Sequence, residues 1–318
     1  MSGSFLASAG VSVIQLGAAA MGGPLLYGLM AKVRARAEGR AGAPVRQPLL
    51  DLWKLAGKES IHAEHSSAVL PLAPLVLIAS SAAAVAIAPL ISTGPALGRT
   101  SDAFAVVFLL LLGSVAVALA GLDAGTAFGG MGASRAMTIG ALAEPALLVA
   151  VLALSLQAGT SNLPRIVTAT LAHPGWAASP QRLLALAALL IVIVAETGRI
   201  PVDNPSTHLE LTMIHEAMVL EYAGPELALV TLGEAMRLGL LLSLAANLFF
   251  PWGIAATATV PGLALGIAAL GAKTAALAAV IAIAEVSTAK LRLFRVPEIL
   301  SAAFVLAALA VVTGLVMP

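Results

Sequence analysis

Long apolar stretches set the pattern of this chain. Eight of them qualify or nearly qualify as membrane helices: roughly Phe5–Met30, Ala68–Ile91, Phe104–Leu122, Met137–Gln157, Leu183–Ala195, Leu227–Phe250, Leu263–Ser287 and Ile299–Met317. A helix needs about 20 apolar residues to cross the hydrocarbon core. The fifth stretch is short and is predicted to run on past Glu196. No short-period repeat and no Ser/Gly linker divides the chain. The expectation is an all-α, polytopic membrane bundle of about eight transmembrane helices, one membrane domain over residues 1–318. Its main polar loops fall at about 31–67 and 196–226.

The polar positions between these stretches set an orientation. The loops after helices one, three, five and seven hold twelve Lys and Arg, from Lys32 to Arg295, against Arg99, Arg165 and Arg182 in the others. By the positive-inside rule the basic loops face the cytoplasm and both termini lie outside. Met1 to Ala31 contain no Lys, Arg, Asp or Glu. A secretory signal has a basic start, so this segment reads as a retained first helix in a multi-pass protein of the cell membrane.

Composition agrees. The chain is 60% hydrophobic and 10% charged, against about 25% charged in a soluble domain. A net charge of +1 gives no field to draw nucleic acid. With no cysteine, the chain has no disulfide, no cysteine-ligated cluster and no thiol catalysis.

Against that background one stretch stands out. Ala195 to Leu229 packs Glu196, Arg199, Asp203, Glu210, Glu216, Glu221 and Glu226 around His208 and His215. Pro201 and Pro205 break any continuing helix. Thr207 and Glu210 have capping-box spacing, which predicts a helix of about 16 residues closing at Gly224-Pro225. Ionisable groups also lie within the spans or at their ends: Glu144, Glu196, Glu234, Arg237, Lys273 and Glu285. Each costs about 2.5–3.5 kcal/mol at a helix centre, so each should face the bundle interior with a partner. Glu234 and Arg237 are spaced i,i+3 and suit each other. Glu285 is placed to snorkel or to meet Lys290. Lys273 has only apolar sequence neighbours, and Glu234 is its nearest carboxylate by depth. Intramembrane carboxylates with a lysine are what proton relays use.

Other constellations read blandly. KESIHAEH (Lys58–His65) has the look of a solvated loop rather than a metal site, and His208 and His215 of helix surface. GGMGAS (Gly129–Ser134) follows a membrane helix rather than a strand, so a tight turn with close packing is expected rather than a phosphate cradle. There is no Walker motif and no supported Ser/His/Asp arrangement.

Four motifs resemble one family over nearly the whole chain. They are KVRARAEGRAGAPVRQPLLDLWKLAGKE (Lys32–Glu59), with Gln47, Pro48 and Asp51; GGMGASRAM (Gly129–Met137), with Glu144-Pro145; AETGRIPVD (Ala195–Asp203), with LEYAG (Leu220–Gly224); and AKTAALAAVIAIAEVSTAKLRLF (Ala272–Phe294). Together they look like the membrane subunit shared by group 4 nickel–iron hydrogenases, of formate hydrogenlyase and hydrogenase-4 type, and respiratory complex I, subunit 1 or H. Complex I members resemble A-E-x-N-R-x-P-F-D-L followed by alternating glutamates. Here the run reads NPSTHLELTMIHEAM, and GMGASR with Glu285 looks like the hydrogenase branch.

The resemblance implies a subunit without its own redox centre. Iron–sulfur clusters and a nickel–iron centre would sit in partner subunits: an iron–sulfur small subunit, a hydrogenase large subunit and antiporter-like membrane subunits. It implies a proton (or sodium) path through Glu144, Glu196, Asp203, Glu210, Glu216, Glu221, Glu234, Arg237, Lys273 and Glu285. Arg34, Arg36, Arg40, Asp51, Arg135 and Arg199 are the implied docking residues. The alternative is subunit 1/H of a quinone-reducing, complex I-like NADH dehydrogenase, with a quinone bound. A stand-alone ion transporter is disfavoured, because no inverted repeat is visible.

Overall fold

The computed structural model describes residues 2–61, 66–94, 98, 100–203, 213–257, 259–291 and 293–316, apart from the side chains of 2–7 and 294. Among these residues the chain forms α1 (Ser2–Ala37), α2 (Gln47–Ala56), α3 (Val69–Ile87), α4 (Ala103–Asp123), α5 (Ala127–Ala158), α6 (Leu163–Ala172), α7 (Pro180–Glu196), α8 (His215–Val219), α9 (Gly224–Phe249), α10 (Val260–Ser287) and α11 (Val296–Val316). The described residues hold only isolated β-bridges, Ser92 with Ala255 and Asp102 with Asn162. Seven helices, α1, α3, α4, α5, α9, α10 and α11, are long and apolar enough to cross a membrane. The eighth, α7, has 17 residues, about 26 Å of helix, and packs between α5 and α11. The expected all-α bundle of about eight spans is therefore what forms.

The fifth stretch lengthens at the other end from the one predicted. Ser179 accepts a hydrogen bond from the Arg182 N–H and Pro180 takes the first helical position, so α7 starts early. It stops at Glu196, where Thr197 and Gly198 turn the chain.

The glycine-rich GGMGAS is not a turn either. It forms the first part of α5, capped by Thr126, whose hydroxyl accepts from the Gly129 N–H. The close packing does occur. A Cβ on Gly132 would stand 2.9 Å from the Ile214 carbonyl oxygen, so α5 meets α8 backbone to backbone. Two short amphipathic helices, α2 and α6, occupy segments that hydropathy alone leaves as loops.

Helix α9 forms the centre. Every residue from Ala235 to Phe249 is buried, and α1, α2, α3, α7 and α10 all pack on it. A helix buried on all sides is normally apolar throughout, yet α9 carries Glu234, Arg237, Ser243 and Asn247. A buried polar group without a hydrogen bond is costly, so the partners of these residues define the interior.

Candidate functional site

The signature stretch begins where α7 ends. Gly198 takes φ +59°, and a Cβ there would lie 2.8 Å from the His215 ring, so this turn accepts only glycine. The turn throws Arg199 back into the bundle, where it is 3% exposed. Its guanidinium lies 4.4 Å from the Tyr27 ring centroid and 3.6 Å from Glu285 Oε1 on α10. The other oxygen, Glu285 Oε2, stands 3.5 Å from Arg34 on α1. One carboxylate held between two arginines thus ties α1, α10 and the turn after α7. The pairing of Glu285 with Lys290 does not form. Lys290 instead meets Asp203 Oδ1 at 3.3 Å.

Asp203 is buried and works in two directions. While Oδ1 faces Lys290, Oδ2 accepts from the backbone N–H of His215 at 3.1 Å and faces its Nδ1 at 3.3 Å. This contact caps the start of α8. Burial works against the imidazolium, but the hydrogen bond and charge of Asp203, with Glu234 and Glu196 behind, outweigh it and hold the His215 pKa above its ordinary value.

The third cluster lies one layer deeper. Arg237 on α9 donates to Glu196 Oε2 at 3.0 Å, to Ser114 Oγ at 2.6 Å and to Glu234 Oε1 at 3.3 Å. The i,i+3 pair read from the sequence is present, and Glu196 joins it from α7. Glu144 on α5 is within electrostatic reach of Glu196 and Arg237, and its Oε1 is buried without a hydrogen-bond partner among the described residues.

A cavity of about 420 Å³ opens over these groups. Tyr27 of α1, Leu52 and Leu55 of α2, Leu227 and Glu234 of α9, and His215 line it, with Arg199, Asp203 and Glu216 at its margin. Below it a slot of about 30 Å³ touches Ser114, Glu196, His215, Glu234 and Arg237. That is room for a water molecule.

Three sequence readings are corrected here. The helix expected from Thr207 to Gly224 is seen only as His215–Val219; residues 204–212, with His208 and Glu210, lie outside the described residues. Gly224-Pro225 opens α9 instead of closing that helix. His215 is not a surface residue of helix, since it stands on the cavity wall. Glu221 is half-buried beyond α8. Tyr222 beside it donates to the Leu70 carbonyl at 2.8 Å and anchors the stretch to α3; burial raises its phenol pKa.

Lys273 departs most from expectation. It does not pair with Glu234. Its ammonium donates to Asn247 Oδ1 at 2.7 Å and to the carbonyls of Phe250 and Trp252 at 3.0 and 3.1 Å. The Asn247 amide donates in turn to the Pro89 and Leu90 carbonyls. Lys273 therefore closes the C-terminal end of α9, where a cation complements the helix dipole. Arg182, counted in the sequence as a loop residue, is buried at the same end. It donates to Leu248 O, Gln157 and Thr170.

The docking candidates divide. Arg36, Arg40 and Asp51 are exposed. Arg34 is engaged with Glu285, Arg135 donates to the Met213 carbonyl at 2.8 Å, and Arg199 lies inside the bundle, off any surface a partner could reach. Sequence reasoning missed Tyr27 and Ser114, and it placed His215 on a helix surface rather than in the site. Tyr27 and Ser114 are brought there by packing between helices far apart in sequence, and His215 by its contact with Asp203, twelve residues away.

A polytopic helical bundle with a string of paired charges in its core, open toward one set of loops, defines a membrane-embedded subunit built around buried ionisable groups. The chain belongs to the NADH dehydrogenase family, whose profile matches residues 10–316. It is 32% identical to formate hydrogenlyase subunit 4 of Escherichia coli K12, over 91% of this chain and 93% of that protein. It is 33% identical to hydrogenase-4 component C of the same organism, over 90% of each. Its fold matches a chain of the membrane-bound sulfane sulfur reductase, an archaeal respiratory membrane complex, with a TM-score of 0.82 over 98% of this chain and 99% of that one, at 22% identity.

Proposed function

We propose that this chain is the membrane subunit of a hydrogenase- or formate hydrogenlyase-like complex. In that role it anchors an iron–sulfur arm on its basic loops and couples electron flow to proton (or sodium) movement. The observation that carries this reading is charge balance in the core. Asp203, Glu196, Glu234 and Glu285 are matched by Lys290, Arg237, Arg34 and Arg199. A proton added to His215 is then uncompensated, and ionising Glu144 would offset it. A redox change in a partner above the cavity would bias His215, and the Glu196–Arg237–Glu234 cluster would pass the change to α5. Lys273 is assigned to fastening α9, outside this route.

The exposed Arg36 and Arg40 are the docking residues to test, since reversing Arg34 would break the core. Charge reversal of both should release an iron–sulfur small subunit and a hydrogenase large subunit from the membrane fraction while the chain still inserts. An intact complex after reversal leaves these arginines only a role in orientation.

A second reading is quinone reduction at the cavity. The cavity's form favours it: an apolar wall of Leu52, Leu55 and Leu227 leads to a titratable imidazole. His215 would be the residue to hydrogen-bond a quinone carbonyl, and a bound quinone would accept the electrons. A prenylquinone that protects His215 from diethyl pyrocarbonate in the purified complex supports this reading, and no protection argues against it.

A further inference from the structure

The short helix α2 is apolar over more of its surface than the protein covers. At about 100° per residue it turns Pro48, Leu52 and Leu55 to one side, where they wall the charged cavity. Gln47, Asp51, Lys54 and, just past the helix end, Lys58 are spaced i, i+4, i+7 and i+11 and form one polar stripe. Within it Gln47 donates to Asp51 at 2.8 Å. The remaining face carries Leu49, Leu50 and Trp53. Leu50 is 51% exposed and Trp53 84%, and no residue of α2 is fully buried.

Two glycines fix the depth of this helix. A Cβ on Gly28 of α1 would strike the Val45 carbonyl just before α2, and one on Gly224 would strike the Glu59 carbonyl just after it. Gly28 lies four residues before Lys32, the first charged side chain of α1, and Gly224 is the first residue of α9. Helix α2 therefore lies across the ends of two membrane spans, level with the last apolar turn of α1. Its ten residues, about 15 Å, run along the membrane boundary rather than away from it. Arg36, eight residues beyond Gly28, stands about 12 Å further along α1, so it and the outer face of α2 are at different heights.

A tryptophan at this depth, beside leucine and along a stripe with two lysines, is the composition of a helix that lies in a bilayer interface. A protein partner fits less well. The exposed apolar patch rests on two large side chains, where a stable protein interface takes about 20–30 residues a side. It is bordered by the exposed Arg46, Lys54 and Lys58, and lysine is depleted in such interfaces. The same cations suit lipid phosphates.

We infer that the outer face of α2 binds the membrane surface. Trp53 and Leu50 insert at the boundary of headgroups and acyl chains, and Arg46 and Lys54 reach phospholipid phosphates. Because the opposite face of α2 walls the charged cavity, the bilayer holds that wall in place. This surface does not depend on the function proposed above.

The test is photo-crosslinking in the assembled complex in its native membrane. Trp53→p-benzoylphenylalanine and Leu50→p-benzoylphenylalanine replace exposed side chains and should leave assembly unchanged. On irradiation both chains should gain the mass of one phospholipid, read by mass spectrometry of the purified chain. Lys54→p-benzoylphenylalanine, on the polar stripe, should give several-fold less of that adduct. Should one of the apolar-face variants misassemble, the other decides. A crosslink from the apolar face to another polypeptide, no lipid adduct from that face, or a Lys54 adduct as abundant as the Trp53 one overturns the proposal.

Discussion

A single oxygen of Asp203 holds both the backbone N–H and the imidazole of His215, at 3.1 and 3.3 Å. One carboxylate therefore fixes the start of α8 and the orientation of a titratable ring. The ring is 32% exposed to the cavity, so its charge answers to whatever occupies that space. Removal of Asp203 would free the helix start and the ring together.

The sign of the pH dependence follows from the raised pKa of His215. Its contribution to stability is fully present below the unfolded value, about 6.5, and is lost as pH rises through the folded value. The difference in melting temperature between the wild type and His215→Asn should be largest near pH 6 and shrink on going to pH 9. A difference that grows with pH would mean that the neutral ring is the form this site stabilises.

The Arg199–Glu285 contact gives a second expectation. Both groups are buried, and breaking such a pair from one side strands the other charge. Arg199→Met should destabilise the chain by about 3 kcal/mol, near the low end of the range for buried pairs because Arg34 remains. Adding Glu285→Gln to that variant should restore part of the loss, since it removes the stranded charge. Denaturant unfolding of the two variants reads this, and no restoration would mean that the cost lies in lost packing on Tyr27.

Lys273 is expected to behave as a structural lysine. Lys273→Met leaves Asn247 and two backbone carbonyls without their donor, which should cost about 2–3 kcal/mol. The yield of assembled complex should fall, while the ratio of ions moved to electrons transferred in the surviving complex stays at the wild-type level. Full assembly with lost ion movement would return Lys273 to the relay suggested by its sequence.

The contrast between Lys273 and Glu234 shows what the sequence can carry. Helical spacing alone places Glu234 beside Arg237, and the pair forms. No local rule connects Lys273 to Asn247, or Glu285 to Arg34 and Arg199, because those contacts depend on how three helices pack. Hydropathy located the spans for the same reason that it missed α2 and α6: a window long enough to detect a span averages away a ten-residue amphipathic helix. The early start of α7 was signalled by Ser179-Pro180, a capping residue followed by proline at the first helical position. In GGMGAS the turn preference of glycine was overridden by tertiary packing, with α5 and α8 in backbone contact through Gly132. The capping box at Thr207 and Glu210 lies among residues outside the structural description.

Glu144 offers the sharpest test of coupling. Its Oε1 is buried with no hydrogen-bond partner among the described residues, and Glu196 and Arg237 are the charged groups that act on it. The other carboxylates of the core, Asp203, Glu196, Glu234 and Glu285, each sit against at least one cation. Glu144 makes no ion pair among the described residues, so a proton can be gained or lost there without breaking one. Glu144→Gln keeps the shape and removes that capacity. The complex should assemble, and electron transfer to an artificial acceptor should continue at the wild-type rate. Ion movement in vesicles should cease. Glu144→Asp, which shortens the side chain but keeps the proton, should retain part of it. Undiminished ion movement in a fully assembled Glu144→Gln complex would place the route elsewhere, and the Glu196–Arg237–Glu234 cluster would then be a clamp between α4, α7 and α9 rather than a link in a path.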